Sequence, residues 1–138
     1  MTNETRQVIA DYLAGCRTKD PKYKDAQLRI TAMTFMSKPE VQWDVILEAI
    51  RQAIDDNDLG HIAAGPIEGL LGRHGNAWID RVEAQAKQNP KFARAVTGVW
   101  KYMMPVDVWD RVKSVKELVP RDDWLPAGLH ELAKRQAK

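Results

Sequence analysis

Apolar residues recur along this chain at three- and four-residue intervals, and the strict alternation that a strand needs is nearly absent. The first stripe is Val8, Ile9, Tyr12, Leu13 and Cys16. It predicts a helix over 3–16, with Thr2 or Asn3 as its cap and Gly15 near its end. Residues 23–36 fit two patterns. Leu28, Ile30 and Ala32 alternate, whereas Tyr23, Ala26, Ile30 and Met33 keep helical spacing, and we read the segment as a largely buried helix. Ser37-Lys38-Pro39-Glu40 then joins a hydroxyl, an early proline and a glutamate three residues on, the makings of a capping box. Behind it Trp43, Ile46, Leu47, Ile50 and Ile54 line one face of a helix over 38–55, with Asp44, Glu48, Arg51 and Asp55 on another.

A short helix over 58–64 is expected to break at Gly65-Pro66, and a second, over 66–73, to stop near His74-Gly75. Asn76 can cap the next, over 76–88, which turns Trp78, Ile79, Val82 and Ala86 inward and pairs Glu83 with Lys87 outside. Asn89-Pro90 restarts the chain. Phe92, Ala95, Val96, Val99 and Met103 form a stripe ended by Pro105, and Val108, Val112, Val115 and Val119 another closed by Pro120. Pro126 opens a tail helix with Leu129, Leu132 and Ala133 on one face. Seven to eight short helices on short links predict an all-α fold, a single helical domain over 1–138. Its helices should stack as antiparallel hairpins, in a bundle or a short solenoid-like array. No sequence repeat of fixed period accompanies them.

Composition narrows the classes. Hydrophobic residues make up 44% and charged residues 29%, an ordinary globular balance. No apolar run approaches the roughly 20 residues that span a bilayer, so no membrane association is expected. Met1 to Arg6 lead into a polar helical pattern rather than a signal-peptide core. The single cysteine, Cys16, excludes an intramolecular disulfide and any multi-thiolate metal site, and the expected home is the reducing cytoplasm. Its place on an apolar stripe marks it as a core thiol. Trp43, Trp78 and Trp100 are likewise expected in the core.

Charge is segregated although the net value is only +2. Residues 17–29 hold Arg17, Lys19, Lys22, Lys24 and Arg29 against Asp20 and Asp25; residues 40–58 are acidic, with Arg51 the lone cation. Asp44, Glu48, Asp55 and Asp56 thus form a candidate interaction surface for a basic partner. Trp124, in a proline-flanked stretch, is a candidate docking aromatic.

The stretch His61 to Gly75 places four glycines and a proline in a helical pattern. A glycine costs roughly 1 kcal/mol inside a helix, so Gly69 and Gly72 call for either close packing or a partner's approach. With Gly65 as cap and Pro66 first, Glu68 falls at the third helical position, where free amides and the helix dipole favour a carboxylate. His74, near a helix end before Gly75, can donate to the last carbonyls. His61 lies three residues beyond Asp58, within reach of a local hydrogen bond. Should the Gly65-Pro66 turn fold the short helices together, His61, Glu68 and His74 would converge. No metal is expected, since histidine and cysteine pairs at ligand spacing are absent, and no cofactor, since phosphate-binding and dinucleotide-binding loops are absent too. A serine nucleophile elbow is also missing.

Ala63-Ala64-Gly65-Pro66-Ile67-Glu68, with Leu70-Leu71 and His74-Gly75 after it, resembles the signature of a family of small, mostly bacterial helical proteins of unknown function. The resemblance runs from about Trp43 to Trp100 and takes in Asn89-Pro90-Lys91-Phe92. It implies a helical fold and no particular activity. Family members often carry an acidic residue after the glutamate, where this chain has Gly69, so the resemblance implies no paired-carboxylate site here.

Gly65, Pro66, Glu68, His74 and Gly75 are therefore the candidate functional motif, with no catalytic residue assigned. The favoured reading is a non-catalytic interaction or regulatory domain with a protein partner, of which an immunity or antitoxin-like role is one form. The first alternative is a small-ligand protein or enzyme using His61, Glu68 and His74. A weaker one is nucleic-acid binding through residues 17–29, disfavoured by the low net charge.

Overall fold

The computed structural model describes residues 1–126 and builds them almost wholly from helices. These are α1 (Asn3–Thr18), α2 (Lys24–Met36), α3 (Pro39–Gln52), α4 (Asp56–Ile62), α5 (Glu68–Gln88), α6 (Pro90–Val96) and α7 (Val106–Lys116). Single 3-10 turns lie at Pro21–Tyr23 and Arg121–Asp123. The tail helix expected beyond Pro126 lies outside the described residues. Among these residues no strand occurs, and the all-α expectation holds.

The helix count needs correcting. Between α4 and α5 the chain does not break at Gly65-Pro66; it widens into a π turn over Ala63–Ile67 and continues. The described residues therefore hold six continuous helical runs rather than seven or eight. A proline ring collides with the carbonyl four residues back and offers no N–H of its own. The wider turn removes that conflict, with the Glu68 N–H donating to the Ala63 carbonyl five residues back. The stop expected near His74-Gly75 is seen as a kink: His74 has non-helical dihedrals (φ −129°, ψ 23°), and the helical stretches on either side of it join as α5.

Local capping was legible in part. Thr2 Oγ1 accepts from the Thr5 N–H at 3.1 Å, and Asn89 Oδ1 from the Lys91 and Phe92 amides at 3.0 and 3.2 Å. The capping box at Ser37 does not form. Lys38 occupies the cap position without a side-chain bond, and the Ser37 carbonyl instead accepts from Gln42 Nε2 at 2.7 Å. Asp55 is not the end of α3; it caps α4 by accepting from the Asp58 N–H at 2.8 Å.

The core gathers one face of every helix: Ile9 and Leu13 of α1, Ile46 and Ile50 of α3, Ile62, Leu70 and Leu71 around the π turn, Val82 and Phe92 beyond. Trp43 packs edge-on against Phe92 at 5.7 Å and tilted against Trp78 at 5.8 Å. The π turn touches α2, α3, α4, α5 and α6, so it sits at the centre. Two glycines of α5 let neighbours come close. A Cβ on Gly69 would collide with Thr34 Cγ2 of α2, and one on Gly75 would stand 2.8 Å from Val108 Cγ1 of α7.

Several inward assignments were wrong. The segment 23–36 is not largely buried: of α2 only Ala26, Ile30 and Thr34 are buried, Leu28 is exposed, and Tyr23 and Met33 of the expected stripe are half-buried, because α2 packs a single narrow stripe. Ile54 follows the end of α3 and is exposed. Trp100 and Met103 are exposed as well, since α6 ends at Val96 and the chain turns away. Thr97 fixes that turn: its hydroxyl donates to the Arg94 carbonyl at 2.6 Å and accepts from the Leu125 N–H at 2.9 Å.

Candidate functional site

The three side chains of the proposed cluster do not meet. They lie along one run, Glu68 seven residues after His61 across the π turn and six residues before His74. His61 faces the Asp55–Asp58 end, and its burial there pushes its pKa below the usual imidazole value. His74 sits at the kink, half-buried. Among the described residues no group of three or more His, Cys, Asp or Glu is placed to hold a metal ion.

Glu68 has a different employment from the one expected. Helix precedes it, so no free N-terminal amides await it, and its Oε1 accepts instead from the Trp100 N–H at 2.6 Å. Burial pushes its carboxyl up to about 7, against the opposing pull of that amide and of Lys116. Lys116, on α7, was not foreseen. Its ammonium donates to the Val99 carbonyl at 2.7 Å and lies 5.0 Å from the Trp109 ring centroid and 5.7 Å from that of Trp124. Burial lowers its pKa to about 8, although Glu68 works the other way. A signal did exist: Lys116 stands four residues after Val112 and three before Val119, inside the apolar stripe.

The outer side of the motif is open. At Gly72 and the kink a depression of about 270 Å³ is lined by Gly72, Arg73, His74, Asn76, Ala77 and Pro105. Tyr102 and Met103 stand beside Gly72, where an added Cβ would come within 3.3 and 3.4 Å of them. On the other flank the Arg73 guanidinium lies 4.8 Å above the Phe35 ring, and its Nη1 donates to the Phe35 carbonyl at 2.9 Å. Phe35, Met36, Tyr102, Met103 and Val106 are all exposed, Met36 by 84%. Tyr102 also has a positive φ of 47°, a conformation that costs a tyrosine and that the connection imposes. The sequence singles out only Met103 among them, and as part of an inward stripe, because exposure of an apolar side chain depends on where the helix before it stops.

The candidate acidic surface carries counterions. Glu48 pairs with Arg51 at 2.7 Å and with Arg6 at 3.6 Å, and Asp56 with Arg94 at 2.8 Å. Asp44 is exposed and Asp55 is engaged as a cap. Trp124 is half-buried; its Nε1 donates to the Val119 carbonyl at 2.8 Å, and Arg121 stacks on it at 4.3 Å. In the basic stretch, Arg17 pairs with Asp58 at 2.7 Å and Arg29 with Glu4 at 3.5 Å. Cys16 is buried, and burial raises its thiol pKa, which suits a core thiol. A further cavity of about 480 Å³ opens between α5, α6 and residues 118–123, lined by Ala86, Pro90, Ala93, Leu118, Val119 and Pro120.

Residues 17–119 match the model of a family described as of unknown function, DUF6869. The match spans Ala63 to Gly75 and reaches well beyond the span of the resemblance. No curated protein and no solved structure matches the chain.

Proposed function

We infer that this chain, which belongs to the DUF6869 family of unknown function, is a non-catalytic protein-interaction domain that meets its partner around Gly72–His74. One observation carries the reading: Phe35, Met36, Tyr102 and Met103 are exposed on both flanks of a glycine-opened, kinked stretch of helix. Clustered apolar side chains at a surface mark binding sites, and aromatic and methionine residues are the types enriched there. Lys38, Arg73 and Lys101 lie next to this cluster in the chain against Glu40 and Asp107, which favours a partner whose rim is acidic. A catalytic reading loses support because Glu68 is buried and engaged by a peptide N–H. Nucleic-acid binding loses Arg17 and Arg29 to ion pairs.

Capture from native extract tests this, with wild type set beside Tyr102→Asp/Met103→Asp and an Asp44→Lys control. The expected result is a stoichiometric partner retained by wild type and control and lost by the double variant. Equal retention by all three, or no partner at low and moderate salt, overturns the assignment.

A further inference from the structure

A single peptide group, the one joining Val99 to Trp100, is gripped on both edges by buried side chains of opposite sign. Its N–H donates to Glu68 Oε1 at 2.6 Å and its C=O accepts from Lys116 Nζ at 2.7 Å. Glu68 is 7% exposed and Lys116 5%. The two side chains act on opposite edges of the peptide that lies between them. With its N–H engaged from α5 and its C=O from α7, this peptide is held between the two helices. Three residues further on, the same connection presents Tyr102 and Met103 beside Gly72.

We propose that Glu68 and Lys116 form a proton-linked latch on this peptide, which fixes the 97–105 connection against α5 and so governs how Tyr102 and Met103 are presented. The latch stands on its own geometry; its consequence for a partner rests on the interaction reading above. Among the described residues, the charged groups that act on it are these. Lys116 acts on Glu68 from α7, while Glu68 from α5 and Arg121 from the last 3-10 turn act on Lys116.

Opening the connection returns both groups to water, where the carboxyl would titrate at its ordinary 4.5 instead of about 7 and the ammonium at 10.5 instead of about 8. Above pH 4.5 an opened Glu68 gives up a proton that the closed form retains up to about 7. Acid therefore holds the latch shut, and opening is easiest between about pH 7 and 8, where the closed form must bury both groups in their charged states.

Amide exchange at Trp100, corrected for the intrinsic effect of pH, reads this directly. Protection should rise about tenfold from pH 7.5 to 5.5, and Glu68→Gln should abolish that rise. A carbon-13 titration of the Glu68 carboxyl in the wild type needs no variant; a midpoint near 7 supports the latch and one near 4.5 overturns it. Protection that does not change with pH, or the same change in Glu68→Gln, overturns it too. Partner capture at the two pH values is a separate arm. A pH-dependent Trp100 with no partner leaves the latch standing and removes the interaction reading; a captured partner with a pH-independent Trp100 does the reverse.

Discussion

Two buried carboxylates, ten residues apart in the sequence, are handled in opposite ways. Asp58 has no exposed side-chain surface, and Arg17 reaches it from α1, with Nε and Nη2 donating to its two oxygens at 2.7 to 3.1 Å. The Ile54 N–H adds a further bond at 2.9 Å. Glu68 is nearly as buried, yet it has one peptide N–H and a more distant ammonium. The first arrangement compensates a desolvated charge with a bidentate counterion and extra donors, so it rivets α1 to α4. The second leaves the charge short of partners, and the carboxyl responds by holding its proton up to about pH 7. Burial alone thus does not fix a carboxyl's surroundings; the number and charge of the groups that donate to it do.

The largest expected effect breaks the first region. Asp58→Asn leaves the Arg17 guanidinium without its counterion and should cost about 3 kcal/mol, read as a lower urea midpoint at unchanged slope. Next comes the floor beside the second region. Gly69→Ala forces a methyl into Thr34 Cγ2 and should cost about 2 kcal/mol despite the better helix propensity of alanine, and a Thr34→Ser change in the same chain should recover most of it. Glu68→Gln carries the opposite sign from Asp58→Asn. Because the folded carboxyl titrates near 7 and the unfolded one near 4.5, wild-type stability falls as pH rises between those values. The glutamine variant escapes that fall and should be more stable by about 1–2 kcal/mol at pH 8, the advantage shrinking towards pH 4 in denaturation curves. The smallest effect is at the surface. Tyr102→Lys should alter stability by less than about 0.5 kcal/mol while removing partner capture, which separates presentation of the surface from integrity of the fold.

Much of the helical frame could be read from residues acting within one or two turns of one another. The stripe Val8, Ile9, Tyr12, Leu13 and Cys16 is buried as its spacing demanded, and the side chains of Thr2 and Asn89 cap the helices they precede. The geometry of the motif is not set by those local signals. Gly65-Pro66 looked like a break because proline lacks an N–H and crowds the preceding turn, yet a π turn satisfies the same constraint without ending the helix. Once the helix continues, Glu68 has no free amides to cap and must find a donor elsewhere.

What the chain determined by itself is where helices form, which face of most of them is apolar and that a glycine such as Gly69 inside a helix calls for a close neighbour or a partner. Those properties depend on periodicity and on the absence of a side chain, both local. Tertiary structure alone decided that Arg17 meets Asp58 across 41 positions and that Trp100 meets Glu68 across 32. It also left Tyr102 and Met103 in the open. Desolvation and its compensation depend on whichever groups other helices bring, and no spacing within a single helix encodes them.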